Sequence, residues 1–425
     1  MFSWVAAVLL AANLQIPSGP PLNVPLVKQT TNMWCWAACT EMVMRYYQGT
    51  GQYRLPVKLQ CELADVAYNA PCGCPSCGAV SKVNGDCVHD GANPPLAEGG
   101  FNCVYRSAQP LTFCELAEEF HGQGHTGRPV LFERVNGLTR HIMVAIDADI
   151  VKGRGWILVN NPGPATCGGS TRPIEYDDWA GAQVTSGAYY THGIDYYEIF
   201  PSGAATGSCL EVHPEVETCS EGKGLRENFT DGEQLSDFAR AANELISAFE
   251  PEWKERMGFS KLGDRQVEVL EYLSTYQLRI DSGTSPEAPF DSVIFPPLPQ
   301  QEAREYMLAD HGKPIGTLTA YRTSSGWRVA GIGSDPGMLQ AFALRHTKAA
   351  EVGAADQVSL VQVPVFNLDF LLFRKGTDFY LMPVRDELSF NAGPCGTMSK
   401  GQSLKVSCLY PLLRQKALSS KGLPN

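Results

Sequence analysis

VPLVKQTTNMWCWAACTEMVMRYY, residues 24–47, is the stretch on which the reading of this chain turns. From Asn32 to Gln48 it has neither Gly nor Pro, and its Ala, Met, Val and Tyr residues fall on several faces at helical spacing. That pattern predicts a central, buried helix. Gly49 to Gly51 stops it. Before it, Leu22 to Gln29 reads as a short extended lead-in. Cys35 falls near the helix start, between Trp34 and Trp36. A thiol attacks a carbonyl only as thiolate, and a helix N-terminus or a nearby imidazolium favours that form. Taken alone, such a cysteine can equally be a buried structural residue or half of a disulfide.

Three further features point to chemistry. Gln29 precedes Cys35 by six positions, where its side-chain amide can aim at an oxyanion beside the Cys35 backbone N–H. His141 opens an apolar run, HIMVAID, well downstream. WILVNNP, residues 156–162, follows after a Gly-containing turn. Two adjacent antiparallel strands would bring Asn161 beside the His141 ring and hold its orientation. His192, before another apolar strand, is the rival base. His121 and His125 flank a Gly-rich turn and read as solvent-exposed, and Asp147, Asp177 and Asp178 read as surface or turn carboxylates.

The lead-in and helix together resemble the N-terminal motif of bacterial papain-like cysteine proteases, including secreted effector proteases. RHIMVAIDADIVKGRGWILVNNPGP, residues 140–164, resembles that family's His strand and the strand after it, which ends in Asp-Pro or Asn-Pro. The resemblance covers residues 24–200. It implies Cys35 as nucleophile, His141 as base, Asn161 as orienting residue and Gln29 as oxyanion donor, with no cofactor and no metal. There are two departures. Arg140 stands where the family usually has Gly, a bulk that could crowd the site. The pair Asn160-Asn161 offers two candidates for the third member, and Pro162 favours Asn161.

The wider chain sets the context. Its 425 residues carry a net charge of -11, which argues against nucleic acid and anionic membranes as partners, since both call for clustered positive charge. Residues Trp4 to Ala12 resemble the apolar core of a signal peptide, although no Lys or Arg precedes them, and residues 1–20 are read as such. No other stretch is long and apolar enough to span a membrane. Nine of the 14 cysteines fall between Cys35 and Cys114, as expected of a secreted or periplasmic chain with disulfides. Cys72, Cys74, Cys77 and Cys87 or His89 offer a zinc reading, which the export signal and the extra cysteines Cys61, Cys103 and Cys114 disfavour.

The expected fold class is α+β. A papain-like peptidase domain (21–202), a helix packed on an antiparallel sheet, carries a Cys-rich insert (61–114). Within the insert, Cys61 to Asn102 reads as a loop region stapled by disulfides. A linker (203–232) holds Cys209, Cys219 and the sequon at Asn228. The second α+β domain (233–425) has helices over Glu233–Phe249 and Gly258–Gln277, then strands interrupted by a helix over Met338–Ala350, and cysteines Cys395 and Cys408 that could close a loop. Its order faintly resembles cystatin-like or propeptide-like modules. That implies intramolecular contact with the first domain, as inhibitor, folding aid or substrate trap, or an accessory role without regulation. The expected substrate is a protein or peptide. The alternatives are a cell-wall peptide amidase or transpeptidase on the same fold, and a non-catalytic disulfide-rich binding protein with Cys35 in a disulfide.

Overall fold

The computed structural model describes residues 18–31, 33–74, 87, 93–107, 109–122, 126–136, 139–163, 169–181, 183–185, 188–212, 234–278, 294–295, 302–323, 326–352, 358–363, 368–384, 390–391, 397–398 and 402–420. The signal-peptide expectation for residues 1–17, and the roles considered for Cys77, His89, His125, Cys219, Asn228 and Cys395, lie outside the described residues.

The fold mixes helices with a large, mostly antiparallel sheet. The first half runs α1 (Cys35–Gly49), α2 (Gln60–Tyr68), β1 (Phe101–Arg106), α3 (Phe113–His121), β2 (Val130–Asn136), β3 (Thr139–Val151), β4 (Arg154–Asn161), β5 (Ser170–Glu175), α4 (Tyr176–Ala180), β6 (Gln183–Thr185), β7 (Ala188–Pro201) and β8 (Cys209–Glu211). Hydrogen-bonded neighbours follow the order β1, β7, β2, β3, β4, β5, all antiparallel, and β8 lies parallel to β1 at the edge.

Helix α1 is buried on nearly every side, as its all-round apolar sequence requires. It ends where Gly51 adopts φ +76°, a left-handed conformation that costs glycine little. Helix α3 starts on a capping box. The Thr112 hydroxyl accepts from the Glu115 N–H at 3.2 Å, and the Glu115 carboxylate accepts from the Thr112 N–H at 2.6 Å.

The segment 61–102 is not only loop, because α2 occupies 60–68. Its cysteines form disulfides Cys61–Cys74 and Cys72–Cys87, so the zinc reading falls for Cys72, Cys74 and Cys87. Cys209 pairs with Cys103, which ties residues 209–211 to the first half's sheet instead of leaving them in a linker.

The second half runs α5 (Leu235–Ala248), α6 (Pro251–Arg256), β9 (Glu268–Leu278), β10 (Ile294–Phe295), β11 (Ala303–Asp310), β12 (Lys313–Thr323), β13 (Gly326–Gly333), α7 (Pro336–Val352), β14 (Val358–Val363), β15 (Leu368–Lys375) and β16 (Asp378–Pro383), and later α8 (Val406–Ser420). The second half of the helix expected at Gly258–Gln277 is strand β9. Val267, Val269, Leu273 and Thr275 are buried at a period of two, while Leu270 and Tyr272 lie exposed between them. Apolar residues on both faces of a strand imitate a helical pattern.

The two halves share one sheet through the register pair Ile174–Gly331 of β5 and β13. Buried polar bonds reinforce that seam. Glu175 lies between Arg154 and Arg328, with Arg328 Nε donating to it at 2.9 Å. Tyr321 donates to Asp178 at 3.1 Å, and Trp253 Nε1 donates to Asp147 at 2.7 Å. Asp147 and Asp178 are therefore not surface carboxylates. Each is at most 2% exposed.

Candidate active site

Cys35 is the first residue of α1. The first four N–H groups of a helix have no partner within it, so the Cys35 amide sits at a natural anion-binding end. The opposite wall is the edge of β3. β2 pairs along one side of that strand, and β4 begins to pair along the other only at Val144. At Ile142 two thiols from α1 face the backbone where a strand would otherwise pair. The Ile142 N–H lies 3.5 Å from Cys35 Sγ, and Cys39 donates its S–H to the Ile142 carbonyl at 3.3 Å. Both residues retain thiols. Burial, with Cys35 as a lesser electrostatic cause, raises the Cys39 pKa and keeps that thiol protonated. Cys35 is thus held against the residue next to His141.

His141 is buried, and its Nε2 lies 2.8 Å from Asn161 Oδ1. The same Oδ1 accepts the Gly163 N–H at 3.0 Å, which identifies it as the amide oxygen. His141 Nε2 must then carry the proton and donate it. Nδ1 is left as the basic nitrogen. Burial lowers the His141 pKa from 6.5 to about 4. The Asn161 bond works against that shift, and Arg172 adds to it. The ring therefore rests neutral and able to accept a proton.

Asn160 faces elsewhere. Its Nδ2 donates to the Val24 carbonyl at 3.0 Å, and its Oδ1 accepts from Thr171 at 2.6 Å. Of the two asparagines, Asn161 is the one that bonds His141. Gln29 reaches the same corner, since its N–H donates to the Pro162 carbonyl at 2.9 Å. Its side chain is fully buried, yet neither its Oε1 nor its Nε2 has a hydrogen-bond partner among the described residues. A buried amide left in that state costs about 1–3 kcal/mol, which a bound acceptor would recover.

The other candidates are committed to structure. His192 Nδ1 lies 2.8 Å from the Trp179 carbonyl and Nε2 lies 2.9 Å from Asp195, so both ring nitrogens are occupied within the fold. His121 is not solvent-exposed. Its side chain is 7% exposed and Nε2 lies 2.6 Å from Asp147. Arg140 pairs with Glu133 at 3.3 Å through a half-exposed side chain. Adjacent residues of a strand point to opposite faces, so this side chain projects away from the face that carries His141.

Sequence reasoning missed Gln60, the first residue of α2, which is buried against the Gln29 segment. The signal that could have found it is Glu62 beside an apolar-periodic run. The Glu62 carboxylate accepts the Leu59 N–H at 2.6 Å at the start of that helix. Among the described residues no group of His, Cys, Asp and Glu is arranged to hold a metal ion. No family model, curated protein or solved structure matches this chain.

Proposed function

We propose that this chain is a cysteine peptidase of papain-like architecture, hydrolysing peptide bonds through Cys35, His141, Asn161 and Gln29. The observation that supports the reading is that Cys35 packs against the residue next to His141, His141 bonds Asn161, and the Gln29 N–H bonds the Pro162 carbonyl beside Asn161. The Ile142 N–H to Cys35 Sγ distance of 3.5 Å puts the thiol beside the His141 strand, and the His141–Asn161 bond leaves Nδ1 basic.

In this mechanism His141 Nδ1 takes the Cys35 proton as sulfur attacks the scissile carbonyl carbon. The Asn161 amide oxygen stabilises the imidazolium that forms. The Cys35 backbone N–H and Gln29 Nε2 receive the negative charge that develops on oxygen. Imidazolium returns the proton to the leaving amine. Water, deprotonated by the same Nδ1, then releases the acyl group and restores the thiol.

The disulfides Cys61–Cys74, Cys72–Cys87 and Cys103–Cys209 support an oxidising, extracytoplasmic location. Among the described residues no helix is long and apolar enough to cross a membrane. The Cys35 thiol speaks against a binding protein that uses Cys35 in a disulfide. The test is hydrolysis of unstructured peptides by the wild type and by Cys35→Ala. Cleavage confined to amino-sugar-linked peptides would move the reading to a cell-wall amidase.

A further inference from the structure

We infer that Gln60 is a positioning residue for Gln29, and that the disulfide-stapled segment from Gln60 to Cys87 braces both donors of the oxyanion site. This rests on the peptidase reading above.

Gln60 uses both ends of its amide on the two neighbours of Gln29. Its Nε2 donates to the Lys28 carbonyl at 2.8 Å. Its Oε1 accepts from the Thr30 N–H at 2.8 Å and from the Thr30 hydroxyl at 3.2 Å. The lead-in is thereby held on either side of Gln29. The remaining backbone bond, Gln29 N–H to the Pro162 carbonyl, fixes the third direction. None of these bonds uses the Gln29 side chain, which stays buried and available.

A misplacement of about 1 Å can cost about a hundredfold in rate. Here the clamp is itself anchored. Gln60 opens α2, and the next residue, Cys61, is bonded to Cys74. Two residues before Cys74, Cys72 is bonded to Cys87. The Cys87 carbonyl accepts from Trp34 Nε1 at 2.9 Å, in a buried bond. Trp34 occupies the position just before α1 and immediately precedes Cys35. One covalently closed segment therefore grips the peptide flanking Gln29 at one end and the residue before the Cys35 amide at the other. The disulfides Cys61–Cys74 and Cys72–Cys87 thereby tie the spacing between the two donors.

The experiment is a double-mutant cycle on the full-length protein with a small peptide substrate. Gln60→Ala should lower kcat by roughly ten- to a hundredfold with little change in KM, because the lost interaction belongs to the transition state. Cys35 should still alkylate at the wild-type rate. In a Gln29→Ala background, adding Gln60→Ala should cost less than about twofold, since the residue it positions is already gone.

Gln60→Glu keeps both bonds from Thr30 but sets a carboxylate oxygen against the Lys28 carbonyl, so it should lower kcat as well. It also serves as the measurable variant if the alanine protein does not fold. Equal losses in both backgrounds would place the role of Gln60 elsewhere and overturn the inference, as would an unchanged kcat in Gln60→Ala or Gln60→Glu. A wild type without Cys35-dependent turnover defeats the peptidase reading first, and this inference with it.

Discussion

His141 Nε2 lies 2.8 Å from Asn161 Oδ1, and the Gly163 N–H bonded to that same oxygen fixes the imidazole tautomer. Asn161 is in turn held by the turn that leaves β4, whose Pro162 carbonyl also takes the Gln29 N–H. Three consecutive residues thus hold both the His141 ring and the Gln29 backbone.

The two histidines that compete in the sequence should separate by type of effect. His141→Ala should lower kcat/KM by roughly 10²–10⁴-fold, the value of a general base, with the fold retained. His192→Ala breaks bonds to Trp179 and Asp195 and should act mainly on Tm. Activity and thermal melting on both variants decide it. A dead His192→Ala beside a near-normal His141→Ala reverses the assignment.

Gln29→Ala should reduce turnover by roughly 10²-fold, the worth of one oxyanion donor. Alkylation of Cys35 should stay nearly intact, because Gln29 acts on the transition state and not on the thiolate. Turnover equal to wild type removes Gln29 from the site.

The pH dependence follows from the depressed His141 pKa. The neutral ring is the form the attack needs, so the acidic limb of kcat/KM should fall below the ordinary 6.5, toward about 4. The stability sign is the same. Above 6.5 neither state protonates this ring. As pH falls from there toward 4, the unfolded chain takes up the proton first and stability is lost. In Asn161→Asp a carboxylate favours imidazolium, so the acidic limb should move to higher pH. A pH–rate profile of the two proteins checks the direction, and a limb that stays in place contradicts it.

The seam between the halves should be essential to stability. Arg328→Met leaves Glu175 with Arg154 but without its partner from β13. Breaking a buried pair from one side costs about 3–5 kcal/mol, and the remaining arginine favours the low end. Denaturant titration reads this directly. A chain truncated after Ser202 loses Arg328, Tyr321 and Trp253 together and should melt well below the full-length protein.

Much of this site is legible in the sequence because its residues sit in strongly patterned segments. Cys35 begins an apolar run that only a buried helix satisfies. The runs at His141 and Trp156 are β3 and β4, and their antiparallel pairing puts Asn161 on the His141 side. The choice between Asn160 and Asn161 follows from strand alternation once the pairing is known. What was not legible depends on partners far apart in the chain. The burial of Asp147, Asp178 and His121 is imposed by Trp253, Tyr321 and a neighbouring carboxylate that no local pattern announces. Helix α2 lies in a Cys-rich stretch dominated by turn residues, where its Cys61 is bonded to Cys74. Cys209 looked like part of a linker because its partner, Cys103, lies 106 positions away.

The most direct test is cleavage of an unstructured peptide library by the wild type and by Cys35→Ala, both shown to be folded by thermal melting. The account predicts cleavage of backbone peptide bonds by the wild type, abolished in Cys35→Ala, with rapid alkylation at Cys35 and slow alkylation at buried Cys39. A folded Cys35→Ala protein that cleaves the library as the wild type does, or a wild type that cleaves no peptide bond, contradicts it.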